Sequence, residues 1–268
     1  MRQAMDTRGI LRPAAIDDIF LFERRPPPPD LAHLVDDHWL VSLGPARPRP
    51  IPLGGAGAPG AASRLRAAPG RRLRRARQRY VRVLDGRGWA VGTKFRPAGF
   101  AAFVARPMSA LTDAVVGLDE LFGSDGERLA REAAACPEAD AKLDAVHRFL
   151  RSRLPAAADP RSELVGAVVA EMRTAPPDTQ VAELAARHTV SPRTLQRMFR
   201  RYVGVGPKWV LQRYRLHEAI EQLGGSRHAD WTRFALDLGY FDHADFIRDF
   251  RAVVGRSPSQ YQAEARAS

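Results

Sequence analysis

LQRMFRRYVGVGP at residues 195–207 is matched 51 residues later by FIRDFRAVVGRSP at residues 246–258. Six of the thirteen aligned positions are identical, and a residue that can cap a helix precedes each copy, Ser191 and Asp242. Self-similarity at a fixed offset indicates that one supersecondary unit occurs twice. The C-terminal region is therefore predicted to contain two related pairs of helices.

In both copies a shorter helical segment precedes the repeated one across a short turn, at residues 188–190 and 239–241. This order is typical of a helix-turn-helix, whose second helix enters the DNA major groove. The side chains predicted to face outward in the first copy are Arg193, Thr194, Gln196, Arg197 and Arg200. Arg and Gln make bidentate hydrogen bonds to guanine and adenine, so this face is suited to reading bases.

One helical stretch, residues 207–223, connects the two copies. The spacing of the copies leaves about 18 residues for this helix, which would span about 27 Å and so be comparable to the roughly 34 Å of one DNA turn. The two copies are thus spaced to reach successive faces of the major groove. An ordinary helical bundle with exposed arginines is the alternative, and the repeat favours DNA binding over it.

The stretch LGYFDHADFIRDFRAVVGRSPSQY at residues 238–261 resembles the signature of AraC/XylS-type transcriptional regulators. That signature runs G-Y-x-[DS], F-x-R-x-F-[KR] and G-x-[ST]-P-x-x-[YF]. The resemblance covers residues 160–262 and implies an all-α DNA-binding domain with two helix-turn-helix units joined by a linker helix. Asp245 departs from the signature, which usually has His or a neutral group there, and Gln262 stands where Arg is common.

Carried over position by position, the resemblance implies base contacts by both units. These fall on Arg193, Gln196 and Arg197 in the first unit and on His243, Ala244 and Arg248 in the second. Arginines further along each helix are expected to contact phosphates. The complete predicted DNA-binding set is Arg193, Thr194, Gln196, Arg197, Arg200, Arg201, His243, Ala244, Arg248 and Arg251.

The rest of the C-terminal region is predicted to be helical. Asp159 is suited to cap a helix that begins at Pro160 and presents one apolar stripe. Further helices are predicted at 181–187, 191–202, 207–223, 231–238, 242–253 and 258–265. The stretch between Pro155 and Pro160 marks the predicted boundary between a domain at 1–155 and a DNA-binding domain at 156–268.

The N-terminal region has the pattern of an α+β domain. Apolar runs predict strands at 16–22, 31–35 and 38–43, and residues 80–84 and 89–95 around a Gly-containing turn predict a β-hairpin. Helical patterns follow at 98–105, 108–116, 123–135 and 139–154. His38-Trp39, GTKFRP at 92–97 and LTDAVV at 111–116 resemble the cupin-like domain found ahead of some AraC-type modules. This resemblance implies a β-rich domain with a helical tail that serves effector sensing or dimerisation.

The net charge of +12 is a poor argument for DNA binding. Eleven arginines lie between Asp37 and Asp85, where there is no acidic residue and no lysine, so the remainder carries only +1. Residues 44–79 form a low-complexity segment of Arg, Ala, Gly and Pro. Three interpretations stay open: a solvated loop, a polyanion-binding arm, or an out-of-frame stretch of a GC-rich gene.

Candidate catalytic and metal-binding groups are few. Cys136 is the single cysteine, which argues against a multi-cysteine DNA-repair methyltransferase, and it has no adjacent His or Lys to favour a thiolate. The cluster His33, Asp36, Asp37 and His38 lacks metal-ligand spacing, which favours a structural or surface role. No catalytic residue, cofactor or metal site is predicted. Without a secretory signal or a long apolar run, the protein is expected in the cytoplasm.

The sequence therefore predicts a transcriptional regulator, not an enzyme, that reads double-stranded DNA with two helix-turn-helix units. RNA polymerase and an unknown small-molecule effector are candidate further partners, no membrane is expected, and the chain is expected to be a monomer or a homodimer. The alternatives are a non-specific helical DNA-architectural protein and an enzyme that uses the N-terminal domain.

Overall fold

The computed structural model describes residues 20–43, 49–52, 73–74, 81–84, 88–225 and 230–267. Within these residues the N-terminal part contains short strands followed by helices, and everything after it is helical. The predicted combination of an α+β region with a helical C-terminal region is confirmed at this level. None of the described helices combines the length and the low polarity that a membrane span requires.

The N-terminal strands are β1 (Phe20–Arg25), β2 (Val35–Leu43), β3 (Arg49–Pro52), β4 (Leu73–Arg74), β5 (Val81–Leu84), β6 (Gly88–Phe95) and β7 (Val115–Val116). β2 is the middle strand of a sheet in the order β1-β2-β6, and both of its neighbours are antiparallel to it. His38, Trp39, Leu40 and Val41 are all buried, so this part of β2 is covered on both faces. Separate two-stranded ladders join β3 to β5 and β4 to β7.

The predicted hairpin of residues 80–84 and 89–95 is wrong. β6 pairs with β2 rather than with β5, which pairs with β3. The predicted turn at residues 85–87 lies outside the described residues, and the buried β2 is the strand that pairs with β6. Gly92 lies opposite Trp39, and a Cβ there would come within 2.1 Å of the Trp39 ring, so only glycine lets the indole cross the sheet here.

The strand predicted at 31–35 is also mostly wrong. Residues 31–34 form a turn in which the amide of Leu31 donates to the Pro28 carbonyl and the amide of Val35 donates to the Leu31 carbonyl. The preceding prolines lack amide donors, which favours a turn over a sheet ladder. Of the strand predicted at 16–22, residues 16–19 lie outside the described residues.

Two of the four predicted N-terminal helices are short 3-10 helices, Gly99–Phe103 and Met108–Leu111. The other two are α-helices, α2 (Ser124–Ala135) and α3 (Ala139–Arg151). A short helix, α1 (Leu118–Phe122), precedes them. Prolines at 97 and 107 divide the first stretch and keep it from forming regular turns. Aromatic rings fill the core between the sheet and these helices, namely Phe95, Phe100, Phe103, Phe122 and Phe149.

His38 lies inside this core. Its Nδ1 is 2.9 Å from Thr93 Oγ1 and its Nε2 is 3.2 Å from Nε2 of His147 on α3. Burial lowers the pKa of His38 to about 4, so its imidazole is neutral near pH 7. The side chain thus joins the sheet to α3. Asp36, another member of the His33, Asp36, Asp37 and His38 cluster, is partly exposed, and its Oδ2 lies 2.5 Å from Lys94 Nζ.

Most of the arginine-rich segment at 44–79 lies outside the described residues, which include only β3 and β4 from it. Its three interpretations therefore stay open. The cupin-like character of the N-terminal region also stays a prediction.

The C-terminal helices are α4 (Pro160–Met172), α5 (Val181–Arg187), α6 (Pro192–Tyr202), α7 (Pro207–Gly225), α8 (Trp231–Asp237), α9 (His243–Val254) and α10 (Pro258–Ala267). Their ends agree with the predicted ones to within two residues. The predicted caps are present: Asp159 accepts from the Arg161 amide, Ser191 from the Thr194 amide and Asp242 from the Asp245 amide. Each such cap stabilises its helix by about 1 kcal/mol.

Two separate apolar cores hold these helices. The first is built by α4, α5, α6 and the start of α7, where Val210 and Leu211 are buried. The second is built by the end of α7 with α8, α9 and α10, where Leu216 and Leu223 are buried. Among the helices that the structure describes, α7 contributes buried residues to both cores, that of the first helix pair (α5 and α6) and that of the second helix pair (α8 and α9).

Candidate nucleic-acid interface

The predicted residues on α6 lie on the side of the helix that faces away from its core. Leu195, Met198 and Phe199 are buried against α4 and α5. The outer side chains are then placed by helical geometry, because residues three and four apart lie on the same face. Arg193, Gln196, Arg197, Arg200 and Arg201 are exposed, and Thr194 is half-buried.

The turn before α6 fixes the angle at which the helix leaves α5. The amide of Val190 donates to the Ala185 carbonyl at 3.0 Å, and Thr189 has a φ of 57°. Ser191 caps α6 and also donates its hydroxyl proton to Thr194 Oγ1 at 2.9 Å. The Thr194 hydroxyl therefore keeps its own proton available as a donor to a ligand.

The outer face of α6 is strongly positive. Among the described residues, no carboxylate forms an ion pair with Arg193, Arg197 or Arg200. Arg201 differs from them because its Nη1 donates to the Ala105 carbonyl of the N-terminal region at 3.1 Å. Arg201 remains exposed, and whether it contacts phosphate stays a prediction.

The end of α6 is anchored by further contacts. Thr112 Oγ1, which follows the second 3-10 helix, donates to the Gly204 carbonyl at 2.8 Å. The Tyr202 hydroxyl donates to Asp159 Oδ2 at 2.5 Å, which ties α6 to the start of α4. The C-terminal end of α6 therefore packs against the N-terminal region and α4, while its N-terminal end is open to solvent.

The predicted residues on α9 are exposed in the same way. Phe246 and Phe250 are buried against α8 and α10, and His243, Ala244, Arg248 and Arg251 point outward. The charge on this face is different, because Arg248 Nη2 lies 2.5 Å from Asp245 Oδ1. Asp249 adds a second carboxylate, whose pKa is raised mainly by burial.

An open cleft of about 540 Å³ lies beside α6, between the start of α5 and the first turns of α7. Gln196 and Arg200 line one side of it, and Lys208, Gln212 and Arg215 of α7 line the other. Cations and amide groups around a solvent-accessible cleft are suited to hold a phosphate group.

The three α7 residues in this cleft were missed from the sequence. Lys208, Gln212 and Arg215 are spaced four and three residues apart, which places them on one helix face. That spacing was a readable signal. The spacing alone does not predict a cleft, because the cleft also requires α6 on the opposite side.

The family comparisons cover both parts of the chain. Residues 184–264 match the model described as a helix-turn-helix domain, and residues 23–117 match that of a domain of unknown function, DUF6597. The first match extends from α5 into α10 and so includes both helix pairs. No curated protein matches the chain significantly.

Solved structures similar to the chain include the DNA-binding domain of AdpA, a global transcriptional factor, in complex with a target DNA. It is 30% identical over 41% of this chain and 96% of that chain, with a TM-score of 0.33. An AraC-type DNA-binding protein from Chromobacterium violaceum is 21% identical over 38% of this chain and 92% of that chain, with a TM-score of 0.36. ToxT from Vibrio cholerae is 9% identical over 91% of this chain and 98% of that chain, with a TM-score of 0.37.

Proposed function

Because the chain belongs to the AraC family of DNA-binding transcriptional regulators, we propose that it reads a specific DNA sequence with two helix-turn-helix units. The first helix pair forms one unit with α6 as its recognition helix. The second helix pair forms the other, with α9 in that role. The observation that carries the proposal is the outer face of α6, where arginines without a described acidic partner flank an exposed Gln and a hydroxyl donor.

The α6 face provides the groups that discriminate bases. Arg193 and Arg197 can each donate two hydrogen bonds to guanine O6 and N7, and Gln196 can donate to and accept from adenine. Arg200 lies further along the helix, beside the cleft, and is suited to contact a phosphate. We assign Thr194 to a hydrogen bond with either a base edge or the DNA sugar–phosphate backbone, since its hydroxyl proton is available.

The α9 face provides fewer groups for reading bases. His243 and Ala244 lie in the first turn, where a recognition helix approaches base edges, and the Ala244 methyl group is suited to contact a thymine methyl. Asp245 engages Nη2 of Arg248 and so competes with guanine for part of its N–H donors. Arg251 in the last turn is assigned to phosphate.

The linker helix sets the distance between the two units. α7 has 19 residues, so it is about 28 Å long at 1.5 Å per residue. The two recognition helices are therefore proposed to enter the major groove about one helical turn apart, which corresponds to half-sites separated by roughly 10 to 10.5 base pairs.

For residues 1–155 we propose a regulatory domain, cupin-like in fold, that senses an effector or mediates dimerisation, with 156–268 as the DNA-binding domain. The contact of Thr112 with Gly204 supports this division of labour, because it would carry a change in the N-terminal region to the end of α6. RNA polymerase is a candidate partner of the DNA-bound protein. No catalytic activity is assigned to this domain.

The proposal is tested by selecting duplexes from a random-sequence pool with the full chain. We expect enrichment of one motif made of two half-sites about one turn apart. Uniform retention of all sequences would identify a non-specific architectural protein instead. Absence of binding at low salt would reject DNA as the partner.

A double variant, Gln196→Ala with Arg197→Ala, tests the assigned reading. It should abolish enrichment of the first half-site while leaving weak binding to all sequences. Arg128→Ala is the matched control, since Arg128 is exposed on α2, where it pairs with Asp125. The control should select the same motif as the unchanged protein.

A further inference from the structure

One side chain of the linker helix contacts both helix pairs at once. Arg215 Nη1 donates to the Gly239 carbonyl at 3.1 Å, and Arg215 Nη2 donates to the Thr179 carbonyl at 3.1 Å. Gly239 belongs to the turn between α8 and α9, whereas Thr179 belongs to the loop that leads into α5. A single planar guanidinium therefore joins the start of the first helix pair to the turn of the second.

The two loops also approach each other closely at this point. Gly239 has a φ of +74°, and a Cβ there would lie 2.2 Å from the Pro177 carbonyl oxygen and 3.1 Å from Arg215 Cζ. Only glycine fits this space without moving the backbone, and only glycine adopts this φ without strain. The backbone of the turn at Gly239 thus lies against the backbone of the loop at Pro177, and Arg215 donates hydrogen bonds to both.

The apolar packing does not lock the two helix pairs together. Within the described residues the fully buried part of the first core ends at Leu211 on α7, with the partly buried Tyr214 packed against it, and the second core begins at Leu216, so the two buried clusters have no member in common. Arg215 lies in the interval between them. The relative orientation of α6 and α9 therefore depends on the stiffness of α7 and on the polar contacts around Arg215.

A second arginine of α7 favours the same arrangement. Arg213 is 3% exposed and interacts electrostatically with Asp249 on α9. Burial lowers the pKa of Arg213 to about 9, and it stays mostly charged at neutral pH. Its attraction to Asp249 holds α9 against the linker helix, whereas Arg215 holds both pairs.

We propose that Arg215 is a positioning residue that fixes the angle between the two recognition helices and so sets the half-site spacing that the protein accepts. The inference rests on the proposed two-unit reading of DNA. An Arg fork is suited to this task because its planar N–H groups diverge toward two acceptors, whereas a lysine ammonium is a point charge. Without the fork, α7 can bend and twist, and the second unit can follow half-sites at other positions.

The first test measures binding of the full chain to duplexes that carry the selected motif with its spacer shortened or lengthened by one or two base pairs. The unchanged protein should bind the native spacing best. Arg215→Ala should lower affinity at that spacing by about fivefold to tenfold, since two ordering hydrogen bonds are lost. Affinity at the altered spacings, and for a duplex with the first half-site alone, should change little. The spacing profile should flatten.

Arg215→Lys is the matched control for charge, and it keeps the test valid if Arg215→Ala does not fold. It should flatten the spacing profile as well, with an unchanged dependence of affinity on salt. If Arg215→Ala weakens binding to the single half-site equally, and the salt slope falls by about one, Arg215 contacts phosphate directly and the proposal is wrong. A profile that stays as steep as that of the unchanged protein also overturns it.

A second test measures the orientation of the two helix pairs in the free protein and compares it with the motif selection described above. Spin labels are placed at Ala186→Cys on α5 and Thr232→Cys on α8, both exposed, in a Cys136→Ser background. Pulsed electron resonance should give one narrow distance distribution, which broadens with Arg215→Lys and shifts with Gly239→Ala. An unchanged distribution in a protein that still selects its motif overturns the positioning role alone. Failure to select any motif, with broadening observed, overturns the proposed reading of DNA alone.

Discussion

The two helix pairs are built on the same pattern but differ in what surrounds their outer faces. On α6 the exposed arginines Arg193, Arg197 and Arg200 have no described carboxylate beside them. On α9 the central Arg248 is paired with Asp245 at 2.5 Å. The first pair is also attached to the N-terminal region through Thr112, whereas the described contacts of the second pair are with α7, α10 and the loop before α5.

The repeat therefore keeps the packing of the helices without keeping the charge of their outer faces. The two copies share core residues such as Phe199 with Phe250, and they also share two outer-face arginines, Arg197 with Arg248 and Arg200 with Arg251. The outer faces differ in their acidic residues, because Asp245 stands where the first copy has Thr194. The charge on the outer faces is free to diverge because it contributes little to folding. We therefore expect the first unit to supply most of the specific affinity and the second to adjust it.

The largest expected effect is that of Arg197→Ala, which should cost about 1–3 kcal/mol of specific binding because a bidentate base contact is lost. Arg248→Ala should cost less, because the Asp245 carboxylate competes for the N–H groups of Arg248 and partly neutralises its charge. Titrations of both variants on the selected motif at one salt concentration give the comparison. Equal losses would show that the two units read DNA to the same extent.

The sequence predicted the C-terminal helices well because caps and apolar periodicity act locally. Ser191 followed by Pro192 marks the start of α6 without any knowledge of the tertiary structure. The same local rules failed at β6, whose partner strand β2 begins more than 50 residues earlier. Strand pairing over such a separation depends on which buried surfaces fit together, and no turn signal encodes it.

The candidate site shows the same limit. The exposed residues of α6 followed from helical spacing and those of α9 from the resemblance to the AraC signature, and the pair of Asp245 with Arg248 has the i,i+3 spacing of a contact on one helix face. The contacts of Arg215 could not be predicted from the sequence. Its two acceptors are backbone carbonyls 24 and 36 residues away, and a carbonyl has no sequence identity to recognise.

A smaller effect is expected from two adjacent arginines at the end of α6. Arg200→Ala should lower the slope of log affinity against log salt by about one, because one phosphate contact is lost. Arg201→Ala should lower it less, since Arg201 already donates to the Ala105 carbonyl. Each variant serves as the control for the other, and binding measured at four salt concentrations gives both slopes. A larger change for Arg201 would mean that this arginine leaves Ala105 when DNA binds.

The smallest expected effect is a gain of binding by Asp245→Asn. The carboxylate repels phosphates and holds Arg248 at 2.5 Å, so its removal should make Arg248 available and raise affinity for unrelated sequences severalfold. Asn keeps the shape of the side chain, and the Asp242 cap that accepts from the residue 245 amide does not depend on it.

Thr232→Asn, at an exposed position of α8, is the control for adding an amide without a charge change. Binding to several duplexes of unrelated sequence at one salt concentration measures the effect. If Asp245→Asn instead binds all of them more weakly, the carboxylate accepts a hydrogen bond from a cytosine amino group, and the second unit reads bases through the residue that now distinguishes it from the first.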